Sequence, residues 1–175
     1  MIFESAPWRV DLLRDAALIE RWARRSPSER QQYLLEKKLF LSAFAMRKLS
    51  EARKIPDALP KRSMRAISYP TIRKPTHFNW HRVEKNFDLN AGENISTSSE
   101  IVIKQIIHSY VFVFEYDNGE CVSRLLIASE FERDRRLLSI SLRDYIDLCR
   151  EFATAEVSEI HWQLDPKRGE VMRVV

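Results

Sequence analysis

The stretch Tyr110–Ser129, YVFVFEYDNGECVSRLLIAS, decides the fold. Two runs rich in β-branched and aromatic residues flank Asp117-Asn118-Gly119, and an Asn-Gly pair accepts the positive φ angles of a tight turn. The stretch reads as a β-hairpin. Beyond it, Arg136–Ile140 is expected as a third strand. Ser141 with Asp144 then caps a helix predicted over 142–154, which offers Leu142, Tyr145, Ile146, Leu148, Cys149 and Phe152. The chain closes on IHWQLDPKRGEVMRVV (160–175), a second hairpin around Asp165-Pro166-Lys167-Arg168-Gly169.

Working back from the first hairpin, Thr97 and Glu100 form a capping-box pattern, and Ile103, Ile106, Ile107 and Tyr110 recur at helical intervals. The spacing predicts a helix over 97–110, although its β-branched content also permits a strand. Residues 56–95 have another character. Pro56, Pro60, Pro70 and Pro75 are four of the chain's seven prolines, so 56–75 reads as an extended connector. A short helix from Thr76 to Phe87 is expected after it.

Two longer helices come first. Residues 8–25 carry Trp8, Val10, Leu12, Leu13, Ala16, Ala17, Ile19, Trp22 and Ala23 at helical spacing, with Pro7 in the first turn. Ser26-Pro27-Ser28-Glu29 then supplies a cap, a first-turn proline and a capping-box glutamate for a helix running to Arg53. Its segment LFLSAFAM (39–46) is apolar almost all round, which predicts a course through the middle of the fold. The sum is one α+β domain: N-terminal helices (1–55), a basic connector (56–95) and a mixed part (96–175). Its sheet is expected to be small and antiparallel, made of the two C-terminal hairpins separated by a helix.

Composition narrows the function classes. No apolar run approaches the roughly 20 residues of a membrane span, and Glu4 and Asp11 spoil a signal peptide. Two cysteines without CxxC spacing, Cys121 and Cys149, suit a reducing, cytoplasmic setting. Three well-separated glycines exclude a P-loop and a dinucleotide fingerprint, so no cofactor is implied. No strand candidate carries Glu-x-Lys, and no GxSxG occurs, which removes the common nuclease and hydrolase signatures.

Charge is unevenly placed. Arg47–Lys85 holds eleven basic and three acidic residues, a net +8, while the remainder is net −4. Lys61, Arg62, Arg65, Arg73, Lys74 and Arg82, with Tyr69 and Trp80, are the candidate contacts for an acidic protein or a nucleic acid, and Phe78 is interleaved among them. Arg133, Arg135 and Arg136 alternate with acids and read as a solvated turn. His77, His81 and Glu84 would share one face of a helix and are the one candidate metal set. His161 alternates with Trp162 on a strand and reads as packing or rim. His108, with Lys104, is the candidate catalytic pair, because imidazole titrates near neutral pH and an ammonium offsets phosphate charge.

The end of KQIIHS resembles the close of the motif of HEPN ribonucleases, in which an arginine lies a few residues upstream of a histidine and both act on RNA. The resemblance implies RNA cleavage through His108. The upstream positions here hold Ile101, Val102 and Ile103, and Lys104 is the nearby cation. FLSAFAMRKL (40–49) and KQIIHSYVF (104–112) together resemble a family of short bacterial proteins without assigned function, which implies no chemistry. The leading expectation is a non-enzymatic binding or accessory protein acting through residues 47–85; a small ribonuclease is the alternative. The oligomeric state is left open, since hairpin edges are free to pair.

Overall fold

A computed structural model describes residues 2–24, 28–117, 120–165 and 169–175. Two long helices, α1 (Ala6–Ala23) and α2 (Glu29–Glu51), precede a five-stranded antiparallel sheet ordered β2-β1-β5-β4-β3. Its strands are β1 (Ser63–Pro70), β2 (Glu93–Ser98), β3 (Ser109–Asp117), β4 (Cys121–Ser129) and β5 (Arg136–Ser141). Three more helices, α3 (Val83–Asn86), α4 (Ser99–Ile107) and α5 (Leu142–Thr154), interrupt it. The closing hairpin, β6 (Ile160–Asp165) and β7 (Gly169–Val174), pairs with itself as a separate two-stranded sheet. The α+β class and the mostly N-terminal helices are as expected. The main sheet is larger than two hairpins, and the second hairpin is not part of it.

The largest departure is β1. The residues expected as a connector form an inner strand, hydrogen-bonded to β2 on one side and β5 on the other. The prolines bracket this strand. Pro56 and Pro60 lie before it and Pro70 is its last residue, where a missing N–H costs least. The helix expected from Thr76 to Phe87 shrinks to the single turn α3. At the start of α2 the capping box is shifted by two residues. Ser28 Oγ accepts from Gln31 N at 3.4 Å and Ser28 N donates to Gln31 Oε1 at 3.1 Å, while Ser26 and Pro27 lie outside the described residues. So do the hairpin tips Asn118-Gly119 and Pro166-Lys167-Arg168.

Alternation along the strands divides the sheet into two faces. Met64, Ala66, Leu125, Ile127, Leu138 and Ile140 point to one side, where α1, α2, α4 and α5 bury them in the main core. The segment LFLSAFAM does not run through the middle: Leu39, Ala43 and Met46 are buried, whereas Leu41 and Phe44 stay open on the outer flank. A polar knot sits inside this layer. Tyr145 Oη donates to Leu39 O at 3.0 Å and lies 2.7 Å from Ser42 Oγ, so both hydroxyls are satisfied. Burial pushes the neighbouring Cys149 thiol up to about 12.

The opposite face carries a second, smaller core of Val111, Leu126, Ala128 and Leu137, covered by Val83 and Phe87 from residues 71–90. We call this segment the strap. Its two limbs meet through Ile72 N and Arg73 N, which both donate to Asn86 O (2.8 and 3.0 Å), and a bridge between Thr71 and Phe87. Gly92, just before β2, lies close against Tyr69: a Cβ there would lie 2.6 Å from Tyr69 Cε1.

Candidate nucleic-acid interface

The strap carries a rigid turn at residues 76–82. Asn79 N and Trp80 N donate to Thr76 O at 3.1 and 2.9 Å, and Arg82 N donates to Asn79 O at 2.9 Å. Two buried asparagines lock it. Asn79 Oδ1 accepts from Thr76 N at 2.6 Å, and Asn86 Nδ2 donates to Asn79 O at 2.7 Å. Thr76 therefore does not cap a helix; a side chain three residues on caps Thr76. With the turn fixed from inside, its apolar residues face out. Phe78 is 90% exposed and Trp80 38%.

Arg133 anchors this turn to the sheet. Its Nη1 donates to Pro75 O at 2.9 Å, and its guanidinium lies 3.6 Å from the Tyr110 ring centroid. His77 sits on the same ring at 5.3 Å between centroids. Arg133 is thus a structural clamp and not part of a solvated turn. The only sequence signal for it was an arginine among acids.

The eleven cations of Arg47–Lys85 separate into two groups. Arg47 and Lys48 pair with Glu51 (2.7 Å each), Arg53 with Asp57 (2.6 Å), Arg62 with Glu151 (3.1 Å) and Lys74 with Asp134 (3.6 Å). Hydrogen bonds from Lys48 and Arg47 hold the Glu51 carboxyl below its usual range. Lys54, Lys61, Arg65, Arg73, Arg82 and Lys85 form no ion pair among the described residues. Three of these, Arg73, Arg82 and Lys85, are exposed on the strap with Phe78 and Trp80. Arg65 is exposed on the same face of the sheet, in register with Ser96. Lys61 lies apart, in a cleft of about 690 Å³ between α2 and α4. Tyr69 packs beneath the strap against the second core.

His77, His81 and Glu84 do not share a helix face, because 77–81 is a turn. His77 rests on Tyr110, and His81 meets the edge of Trp80 at 5.8 Å between centroids. Among the described residues no three His, Cys, Asp or Glu side chains converge on a metal position. His161 is exposed on β6, 3.1 Å from Glu159 Oε2.

His108 ends α4, exposed, with its N–H donating to Lys104 O at 3.0 Å. Arg47 approaches it from α2: its Nη1 lies 3.2 Å from His108 Nε2. A guanidinium only donates, so the contact is a hydrogen bond when Nε2 carries no proton. Lys104 is paired with Glu100 at 2.5 Å. Arg47, Lys104 and His108 line a pocket of about 280 Å³ with Gln105, Ser129, Phe131 and Glu132. Sequence spacing held no signal for Arg47, which is 61 residues from its partner.

Among the described residues no helix is long and apolar enough to cross a membrane. Compared with known proteins, the chain matches no family model, no curated protein and no solved structure.

Proposed function

We propose that this protein is a binding module for single-stranded nucleic acid and that the strap is its contact surface. The observation that carries the reading is a pair of solvent-facing aromatics, Phe78 and Trp80, on a turn locked by Asn79 and Asn86 and flanked by Arg73, Arg82 and Lys85. Every base has a π-face, so such rings bind without reading sequence, and the cations neutralise the phosphates between bases. Both free cysteines, one of them buried, support a cytoplasmic location.

The test is titration of a fluorescent 12-nucleotide strand. Each stacked ring is worth about 1–3 kcal/mol, so Phe78→Ala and Trp80→Ala are each expected to weaken binding roughly tenfold. Their exposure makes loss of folding a minor concern. Raising salt a few-fold is expected to weaken the wild-type complex by about tenfold or more. Unchanged affinity in both variants, or a flat salt response, contradicts the reading.

A second reading, RNA cleavage, is favoured by one contact: the Arg47 guanidinium against the His108 imidazole. It predicts that labelled RNA is shortened by the wild type and left intact by His108→Ala. A binding module leaves the RNA intact in both.

A further inference from the structure

The pocket at the end of α4 is rich in donors and poor in acceptors. Gln105 is 7% exposed and Ser129 4%, and both line it. Ser129 N donates to the Gln105 carboxamide at 2.7 Å, which fixes the accepting atom as Oε1. The Gln105 NH₂ group and the Ser129 hydroxyl have no hydrogen-bond partner among the described residues and are not fully buried atoms, so both are open to solvent in the pocket they line.

The charges agree. Glu51 holds Arg47 through Nε, which leaves the Nη edge of the fork turned toward His108. Lys104, paired with Glu100 at 2.5 Å, stands at the rim, so a ligand there competes with that carboxylate for its ammonium. The one carboxylate in the lining, Glu132, is occupied by Arg136 at 2.8 Å. Phe131, 79% exposed, stands at the mouth as an apolar plane. The same loop carries Arg133, the clamp that joins Tyr110 to the strap, so pocket and strap adjoin.

We infer that this pocket receives a phosphate monoester, the terminal phosphate of a strand lying on the strap. The source of the phosphate rests on the nucleic-acid reading above; the pocket rests on its own donors. A phosphate oxygen replaces His108 Nε2 as the acceptor for Arg47, and others take the Gln105 amide and the Ser129 hydroxyl. Phe131 stacks on the terminal base.

The experiment compares 12-nucleotide strands carrying a 5′-phosphate, a 3′-phosphate or neither. One phosphorylated strand is expected to bind the wild type about tenfold more tightly than the unphosphorylated one, the scale of one charge-assisted contact set. The advantage is expected to vanish in Arg47→Gln/Lys104→Gln, while Phe78→Ala weakens all three strands alike. No advantage in the wild type, or an advantage that survives the double substitution, overturns the inference and leaves the strap reading standing. If no strand binds, the strap reading fails, and inorganic phosphate alone decides the pocket. Its ³¹P line is expected to broaden with the wild type and stay sharp with the double variant; a sharp line with both overturns it.

Discussion

One face of the central sheet is covered by four helices, the other by the strap, and the two coverings hold by different physics. On the helical side, α1, α2, α4 and α5 bury a continuous apolar layer against Leu125, Ile127, Leu138 and Ile140. Attraction there is spread over many contacts, none of them decisive. On the strap side, Val83 and Phe87 supply the apolar cover, and the rest is held by particular polar contacts: Asn79, Asn86 and Arg133. A covering of that kind leaves its outer surface free for other uses. Exposed rings and unpaired cations lie on the strap because its fold does not depend on them.

The sharpest contrast is expected in thiol chemistry. Cys149 is sealed inside the helical layer with its thiol pushed up to about 12, so it reacts only when the whole domain opens. Half-exposed Cys121 is expected to react with a disulfide reagent roughly 10³-fold faster or more, the factor set by a global stability of several kcal/mol. Equal rates would show that the helical face opens as readily as a loop.

Next in size are matched ring deletions. Phe152→Ala, on the helical side, is expected to lower global stability by about 3–5 kcal/mol in denaturant unfolding. Phe87→Ala removes the same ring from the strap's own inner side. There the expected cost is about 1–2 kcal/mol, with early proteolytic nicking in 71–90, because the strap can open without the helices. Asn86→Ala frees the turn and is expected to act the same way. An equal loss for the two rings, with one cooperative transition, breaks the comparison.

The smallest effect belongs to the helix surface. Hydrogen bonds from Arg24 and then Arg150 hold the Glu20 carboxyl below its usual range, joining α1 to α5. A depressed folded-state pKa contributes stability above the unfolded value of about 4.3, lost as pH falls through the lower folded value. Glu20→Gln is therefore expected to lower the urea midpoint slightly at pH 7, with the difference closing below about pH 4. A gap that widens in acid contradicts the assignment.

The helical face was legible in the sequence and the strap was not, for a physical reason. Helix α5 and its Ser141 cap are local events: Ser141 Oγ accepts from Asp144 N at 3.3 Å, three residues on. The hairpin β3–β4 and the strand β5 are local in the same sense. β1 was hidden because its prolines, which mark its limits, look like a ban on strand structure. β2, ENISTS, is too polar to show alternation. The candidate sites share this division. Exposure of Trp80, Arg73 and Arg82 could be anticipated from composition, whereas Arg47 against His108 and Arg133 under the strap are products of tertiary packing alone.

The most direct measurement is hydrogen–deuterium exchange of the backbone amides with and without a saturating 12-nucleotide strand. Slowed exchange is predicted in residues 71–90 and at Arg65 on β1, with α1 and α5 unchanged. Protection on the helical face, or none on the strap while the strand is bound, would contradict the account.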